Sequence, residues 1–276
     1  LLMKAIKYAD QSENEDGKEI VKILLKNEDI NVNCKIDIPI DYFDNGYAFS
    51  PLSVCKDLEI LELLINKGAD VNMKSNIGST AIMNTVDTNK VDFLLKNGAN
   101  INEVDNNNNN ALTNLLRLLE DGIAEEDLDT AISTLKLLIE KGIDIKVIDN
   151  NGYDAFLYAV ELNLNDVTKL LIEKGTDIKR KNKEGQNALI ICSKVGNYEI
   201  AKLLIEKGLK VNTVDNEGIT PLIEAVSAGK IELVKLLIEK GADVNAKKAS
   251  GQTALQISKA CENMEMTDLL IKSGAK

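Results

Sequence analysis

The 276-residue chain contains no histidine, the side chain that most often acts as a general base or metal ligand near neutral pH. A Ser-His-Asp or Cys-His nucleophile system therefore cannot form, and a metal site would lack imidazole ligands. The chain also has no Gly-Lys-Ser/Thr phosphate loop, no Gly-x-Gly-x-x-Gly motif and no Cys-x-x-Cys pair. We predict no catalytic residue, no cofactor or metal site and no enzymatic activity.

Carboxylates are the remaining groups dense enough to suggest chemistry. Six of the ten residues from 120 to 129 are acidic. A calcium-binding loop is one interpretation, but the Asp-x-Asp-x-Asp-Gly spacing of such loops is missing. The acidic residues 125–127 and Asp129 also suit the start of a lengthened helix, where the helix dipole favours negative charge. We favour this second interpretation, a solvated acidic projection.

The charge balance constrains the kind of partner. The net charge is −11, from 44 acidic and 33 basic residues. Because binding to a phosphate backbone needs clustered Lys or Arg, we expect no nucleic-acid partner. A basic or neutral protein partner fits the acidic excess. The alternative is that the negative charge only keeps an extended surface dissolved.

The elements that must position any site recur along the chain. A run close to Leu-Leu-Ile-Glu-Lys-Gly-Ala-Asp-Val-Asn appears seven times, and its last five glycines are 33 residues apart, at Gly142, Gly175, Gly208, Gly241 and Gly274. A period of about 20 to 50 residues is typical of arrays in which each unit buries its apolar face against its neighbours. The sequence predicts a solenoid.

Each period carries the same order of local signals. A turn comes first, and the next position always holds a residue that can cap a helix: Ser50, Thr80, Asn110, Asp154, Asn187, Thr220 and Thr253. Pro or Ala follows, then an apolar residue, as in Pro221 and Leu222. A second helix has apolar residues three and four apart, such as Leu233, Leu236 and Leu237, and glycine ends it.

This order of turn, cap, helix, link, helix and glycine resembles the ankyrin repeat. The Thr-Pro-Leu-His-x-Ala signature of that family reads Thr220-Pro221-Leu222-Ile223-Glu224-Ala225 here. The chain departs from the family at the histidine position, which holds Ser53, Met83, Thr113, Leu157, Ile190, Ile223 and Gln256. Apolar packing or other polar groups must replace any hydrogen bonding that the imidazole provides.

The resemblance covers the whole chain and implies an all-α fold with hairpin-like connecting loops. It implies one array over residues 1–276, with about eight repeats. We assign these repeats to residues 1–33, 34–72, 73–102, 103–146, 147–179, 180–212, 213–245 and 246–276. It also implies the absence of catalysis and a protein partner that binds the concave surface and the hairpin loops.

Deviations from the period carry more specific information than the period itself. Repeats 2 and 3 are three residues short between their helices, and residues 105–110 replace the usual turn with a run of five asparagines. Because asparagine tolerates left-handed backbone, we expect this turn to persist without glycine. About eleven extra residues between the helices of repeat 4, from Leu118 to Ala131, include the acidic stretch.

A further insertion, in repeat 2, is aromatic. Four of the ten aromatic residues lie within eight positions: Tyr42, Phe43, Tyr47 and Phe49. Aromatic side chains on loops dominate many interfaces because each buries a large area at little cost in entropy. These rings either form a binding site or fold back over the edge of repeats 1 and 2. The sequence leaves both interpretations open.

The concave surface implied by the resemblance supplies the other binding candidates. They are the fifth residue from the cap and the residues at hairpin tips: Tyr153, Tyr158, Lys183, Gln186, Ile191, Glu217, Ile219 and Glu224. We expect Tyr153, Tyr158 and Ile191 to form an anchor and the others a polar rim. Alternatively, these residues pack between adjacent first helices.

We therefore predict a non-catalytic scaffold that binds a protein partner as a monomer. A second possibility is a targeting or connecting module of a larger effector or enzyme. A third is a structural array that associates end to end through Leu1, Leu2, Leu269, Leu270 and Ile271.

The remaining expectations concern the ends of the chain and its location. Leu1 aligns within a helix that has no cap before it, so we expect residues upstream of it. No stretch approaches the roughly 18 apolar residues of a membrane span. Cys55 and Cys192 fall in small core positions and are interpreted as buried hydrophobes, which favours a reducing compartment such as the cytoplasm. Secretion stays open because the true N-terminus is expected to lie upstream.

Overall fold

The computed structural model describes residues 1–12, 15–37, 48–122 and 124–276. This part of the chain divides into two compact units, Leu1–Val147 and Ile148–Lys276. Each unit consists of helix pairs arranged in two rows. The first helices of successive pairs pack on each other, and so do the second helices.

Unit 1 contains seven described α-helices, two short 3-10 helices and one pair of two-residue strands. In chain order they are α1 (Leu2–Ser12), α2 (Glu15–Lys26), β1 (Ile36–Asp37), β2 (Ala48–Phe49), α3 (Pro51–Val54), α4 (Leu58–Asn66), the 3-10 helix Ala81–Asn84, α5 (Thr88–Lys96), α6 (Ala111–Asp121), the 3-10 helix Glu125–Asp127 and α7 (Leu128–Glu140). The strands β1 and β2 are antiparallel, with Ile36 opposite Phe49.

Unit 2 contains four helix pairs. They are α8 (Ala155–Glu161) and α9 (Asn165–Glu173), α10 (Ala188–Val195) and α11 (Tyr198–Glu206), α12 (Pro221–Ser227) and α13 (Ile231–Glu239), and α14 (Ala254–Ala260) and α15 (Met264–Lys272). The first helices α8, α10, α12 and α14 form one row, and the second helices α9, α11 and α13 form the other. The predicted all-helical solenoid is thus confirmed, and β1–β2 is the one strand pair among the described residues.

The predicted cap residue is the helix N-cap at all seven positions. In six of them the side chain accepts a backbone N–H of the first turn, which satisfies a donor that the helix itself cannot pair. The exception is Thr80, which precedes a 3-10 helix and makes no cap bond. The column of capping residues therefore predicted where every first helix after α1 begins.

The apolar column after the cap forms the core, as predicted. All seven members are buried: Leu52, Ile82, Leu112, Phe156, Leu189, Leu222 and Leu255. Complete burial of one such side chain contributes about 1.5–3 kcal/mol to folding. Small buried residues lie three positions after this apolar column, among them Cys55, the C-cap of α3, and Cys192 of α10.

The asparagine run forms the same turn as the other repeats. Asp105 accepts the N–H groups of Asn107 and Asn109 at 2.9 and 2.7 Å through one carboxylate oxygen. Asn108 has a φ of 63° and takes the left-handed position that Gly152 occupies, at 84°, in the next turn. Asparagine adopts this conformation at low cost. The prediction that the turn persists without glycine is confirmed.

Two first helices in unit 1 are truncated to four residues, where the sequence is three residues short. The carbonyls at the end of α3 lack helical partners, and Lys90 of the next repeat supplies donors instead. Its Nζ lies 3.1 Å from the Ser53 oxygen and 2.7 Å from the Cys55 oxygen. Lys90 is only 3% exposed, which is rare for lysine. No sequence pattern indicated this role.

The truncated 3-10 helix Ala81–Asn84 receives the same kind of support. The Asn114 side-chain amide donates to the Met83 oxygen at 2.7 Å, and the Thr134 hydroxyl donates to the Val86 oxygen at 2.6 Å. Buried backbone carbonyls that lose a helical partner need another donor. In both cases the following repeat provides it, so a repeat that lacks a helical turn depends on its successor for hydrogen bonds as well as for apolar cover.

We expect Thr220→Ala to lower the free energy of unfolding by about 1 kcal/mol, because it removes the hydroxyl that accepts the Ile223 N–H at 3.2 Å. Thr80→Ala is the matched control, since the Thr80 hydroxyl has no hydrogen-bond partner among the described residues. For Thr80→Ala we expect the free energy of unfolding to change by less than about 0.5 kcal/mol. Urea unfolding measures both, and equal losses would show that the cap bond is not the stabilising group.

Lys90 predicts a dependence of stability on alkaline pH. Burial lowers the pKa of Lys90 from 10.5 to about 8, although neighbouring Cys55 and Asp10 favour the charged form. Between these pH values the unfolded chain holds a proton that the folded chain has released, so the free energy of unfolding rises with pH. The full effect is on the order of 3 kcal/mol.

The measurement is the difference in urea stability between the natural chain and Lys90→Met at pH 7, 8, 9 and 10. We expect the free energy of unfolding of the natural chain to increase relative to that of Lys90→Met as the pH rises. The comparison is needed because burial raises the pKa of the Cys55 thiol from 9.0 to about 12, which acts in the opposite sense above pH 9. A difference that stays constant with pH would contradict the prediction.

Candidate functional site

The hairpin tips of unit 2 are linked to one another by backbone hydrogen bonds. The N–H of Lys183 donates to the Asn151 oxygen at 3.1 Å, that of Asn216 to the Glu184 oxygen at 2.9 Å, and that of Ala249 to the Glu217 oxygen at 2.7 Å. Each bond joins one repeat to the next. We call the surface formed by these tips and the solvent-facing side of α8, α10, α12 and α14 the inner face.

The first three of these turns are stabilised from within by a side-chain oxygen of Asp149, Asn182 or Asp215. In the first turn of unit 2, one oxygen of Asp149 accepts the N–H groups of Asn151 and Tyr153, both at 2.8 Å. Asp215 accepts those of Glu217 and Ile219 at 2.9 and 2.8 Å. The side chains at the tips are therefore carried on a backbone whose polar groups are already paired.

Tyr153 and Tyr158 lie together, as the sequence predicted, but they differ in exposure. Their ring centroids are 4.8 Å apart, with the planes tilted by 37°. Tyr158 is 3% exposed, and its hydroxyl donates to the second oxygen of Asp149 at 2.7 Å. Tyr153 is partly exposed, and its hydroxyl accepts from the Asn182 side chain at 3.2 Å. Burial raises the pKa of Tyr153.

Ile191 is 1% exposed, so two of the three residues of the expected anchor are packed inside the unit. Tyr158 and Ile191 occupy the same position on α8 and α10, which contact each other. That position faces the neighbouring first helix here, because α8 and α10 approach closely. Of the expected anchor, only Tyr153 offers surface in this structure.

The expected rim residues all reach the inner face. Lys183 and Glu217 are exposed at two successive tips, and Gln186, Ile219 and Glu224 are partly exposed. The candidates that offer surface on the inner face of unit 2 are thus one aromatic, one aliphatic and several polar side chains.

Two charged residues of this face were not among the sequence candidates. Lys194 Nζ lies 2.9 Å from a carboxylate oxygen of Glu161, and this hydrogen bond raises the pKa of Lys194. Glu161 and Lys194 are 33 residues apart, each eighth from its cap. Complementary charges in one repeat position were a signal that could have identified the pair.

Glu224 lies on the same face, fifth from its cap. Burial raises the pKa of its carboxyl group above the usual value, and the nearby Lys194 opposes this effect. Asp215 adds to the increase, while Lys248 reduces it. The carboxylate is partly withdrawn from water and has cations near it but not in contact.

The aromatic insertion of repeat 2 falls mainly outside the described residues. This applies to Tyr42, Phe43 and Tyr47. Phe49 belongs to β2 and its backbone is opposite Ile36, but its side chain is outside the description. Whether these rings bind a partner or cover repeats 1 and 2 stays a prediction.

The acidic insertion of repeat 4 lengthens both helices instead of forming one long link. The helix α6 continues to Asp121, and α7 begins at Leu128. The physical reason is composition, since the extra residues 118–121 are Leu-Leu-Glu-Asp and continue the amphipathic pattern of α6. Residues 125–127 form the exposed 3-10 helix before α7, and Asp129 is exposed in its first turn. Within the described ranges, no group of three carboxylates or thiols is placed to hold a metal ion.

The residues expected to mediate end-to-end association are only partly available. Leu2 and Leu270 are buried in their own repeats, which corrects that expectation, whereas Leu1 and Ile271 are exposed and Leu269 is partly exposed. Leu2 and Leu270 lie on the sides of α1 and α15 that pack against neighbouring helices. In the described part of the chain, no helix is long and apolar enough to cross a membrane.

Comparison with known proteins agrees with the repeat geometry. The sequence profile of ankyrin repeats matches in three overlapping segments, at residues 124–215, 163–248 and 210–276. No curated protein matches the chain. Ankyrin repeats are generally protein–protein interaction modules and are typically non-catalytic. The matched segments together cover more than half of the sequence, and the chain belongs to the ankyrin repeat family.

Proposed function

We propose that this chain is a non-catalytic scaffold that binds a protein partner along the inner face of unit 2. The observation that carries the proposal is the set of backbone bonds between hairpin tips, which holds Tyr153, Gln186 and Ile219 in a fixed row. The proposal includes the monomeric state and the single array of about eight repeats over residues 1–276.

Rigidity of the tips supports this function. Each of the first three tips carries an internal bond to an aspartate or asparagine side chain and a backbone bond to the next tip. Little conformational entropy is then lost when a partner binds, so weak contacts at several positions can add up to a stable complex. A partly exposed tyrosine among polar side chains is also the composition that interfaces favour.

The acidic excess is confined to one half of the sequence. Residues 1–147 contain 26 acidic and 15 basic residues, whereas residues 148–276 contain 18 of each. The net charge of −11 therefore belongs to unit 1. A basic partner region would gain electrostatic attraction from unit 1, while the contacts to unit 2 would depend on individual side chains.

End-to-end stacking is less well supported than partner binding. On α14, Gln256 and Lys259 are exposed at the positions where α12 buries Ile223 and Val226. A polar outer face is typical of a repeat that faces water. Although Met264 and Ile271 are exposed on α15, the polar residues on α14 disfavour a second copy on this face.

Site-specific photo-crosslinking tests the proposal. A benzoylphenylalanine at Tyr153 or Ile219 is expected to crosslink the same protein from a lysate of the source organism, because both positions lie on the inner face. The control is the same group at Lys202, which is exposed on the second helix α11 and should give no such product. Crosslinks from Lys202 alone would contradict the proposal.

The aromatic insertion is tested with the same crosslinked partner. A variant with Tyr42, Phe43 and Tyr47 changed to alanine is compared with the natural chain at equal thermal stability. If the insertion is a second contact, we expect about tenfold weaker binding, in line with the loss of aromatic anchors. Unchanged binding together with lower stability would assign these rings to covering repeats 1 and 2.

A further inference from the structure

The outward side of α2 carries a strip of apolar residues. Ile20 is 45% exposed, Ile23 is 57% exposed and Leu24 is partly exposed. Because residues three and four apart lie on one side of a helix, the three side chains are neighbours. A single exposed apolar residue needs no explanation, whereas a continuous strip marks a surface that another element can cover. We call these three residues the α2 strip.

The same residue types form a buried repeat boundary in α4. From the residue before Ile20, α2 reads Glu-Ile-Val-Lys-Ile-Leu-Leu-Lys, and from the residue before Ile60, α4 reads Glu-Ile-Leu-Glu-Leu-Leu-Ile-Asn. Ile60 and Leu64, the counterparts of Ile20 and Leu24, are each 0% exposed. The helix α4 packs between α2 and α5, whereas α2 packs on α4 alone among the described second helices. In the described part of the chain, the α2 strip is therefore a core-forming surface without its preceding helix.

The charges beside the α2 strip repeat the pattern of later boundaries. Glu59 of α4 pairs at 2.7 Å with Lys22 of the preceding helix α2. Glu199 of α11 likewise pairs with Lys169 of the preceding helix α9. Glu19 occupies the position of these two glutamates, is exposed, and pairs with no cation among the described residues. The surface of α2 is thus complementary to a helix that has a lysine in the position of Lys22 and Lys169.

A second copy of the chain offers the α2 strip a poor cover. On α14, Gln256 and Lys259 are exposed where α12 buries Ile223 and Val226. Stacking of this surface on α2 would place polar groups against apolar side chains, which is unfavourable unless the polar groups find partners. The repeat boundaries within unit 1 instead pair apolar helices of one chain, as in the contacts of α2 with α4 and of α4 with α5.

We propose that the α2 strip is buried by a further helix pair of the ankyrin type, which residues of the same polypeptide before Leu1 contribute. The second helix of this pair packs on α2, and one of its lysines pairs with Glu19. This interface continues the one that joins α2 to α4. It is independent of the binding proposed for the inner face.

The direct test uses the natural polypeptide with everything that its gene encodes before Leu1. Benzoylphenylalanine at Ile23 is expected to crosslink within the chain to a residue of the preceding segment, in a yield that tenfold dilution leaves unchanged. The same group at Glu62 is the control, because Glu62 is exposed on α4, which has α2 and α5 on its two sides. There we expect no crosslink to the preceding segment.

Three results of this experiment would overturn the proposal. The first is a product between two copies whose yield falls on dilution, which would assign the α2 strip to self-association. The second is a product with a different protein, which would make the strip a partner site. The third is a natural polypeptide that has no helix pair before Leu1.

A fusion tests whether the α2 strip fits a helix pair. A copy of residues 187–220, which spans α10, α11 and the next cap, is placed directly before Leu1. The copy carries Lys202 in the position of Lys169, 33 residues later. We expect the urea midpoint of unfolding to rise by about 1 M, because an added repeat contributes a nearest-neighbour interface.

The variant Ile20→Lys assigns this gain to the α2 strip. We expect it to leave the urea midpoint of the natural chain nearly unchanged and to remove about half of the gain in the fusion, where Ile20 is buried. Ile271→Lys is the matched control, since Ile271 is 50% exposed on α15 and should have the same small effect in both chains. An equal effect of Ile20→Lys in the two chains would contradict the packing on α2.

Discussion

The physical constraint behind this structure is that no helix pair can bury its apolar surface alone. In each unit the first helices pack on first helices and the second on second, so that Leu222 or Phe156 is removed from water only because a neighbouring pair covers it. Stability therefore accumulates by nearest-neighbour contacts. Outward-facing side chains are left free to vary, and this freedom allows one fold to present different surfaces.

Dependence on the neighbour extends to hydrogen bonds where a repeat is short. The end of α3 and the 3-10 helix Ala81–Asn84 have carbonyls without helical partners, and Lys90, Asn114 and Thr134 of following repeats donate to them. Burying Lys90 costs desolvation energy, which its lowered pKa reflects. This energy is offset because the ammonium group donates to carbonyls that would otherwise be buried without a partner, which is also unfavourable. Deletions in a repeat are thus compensated outside that repeat.

The candidate site follows from the same architecture. Backbone bonds between hairpin tips extend the repeat-to-repeat contacts to the inner face, and this order gives Tyr153, Ile219 and Glu224 defined positions. Sequence columns predicted which residues would reach this face, but they did not separate Tyr158, which bonds to Asp149, from Tyr153, which keeps exposed surface. Tyr158 belongs to α8, which packs on α10, whereas Tyr153 lies at a hairpin tip, and the contacts that bury Tyr158 form between residues far apart in the chain.

Local chemistry was readable from the sequence alone. Helix starts, the turn at Asn108, the buried apolar column and the fold family all depend on interactions within a few residues, whose preferences are strong and periodic. The tertiary structure decided the rest: the burial of Lys90 and Ile191, the pairing of Glu161 with Lys194 and the exposure of the Glu224 carboxylate. These properties arise between repeats, about 33 residues apart in the chain, where packing geometry and desolvation determine which polar groups meet.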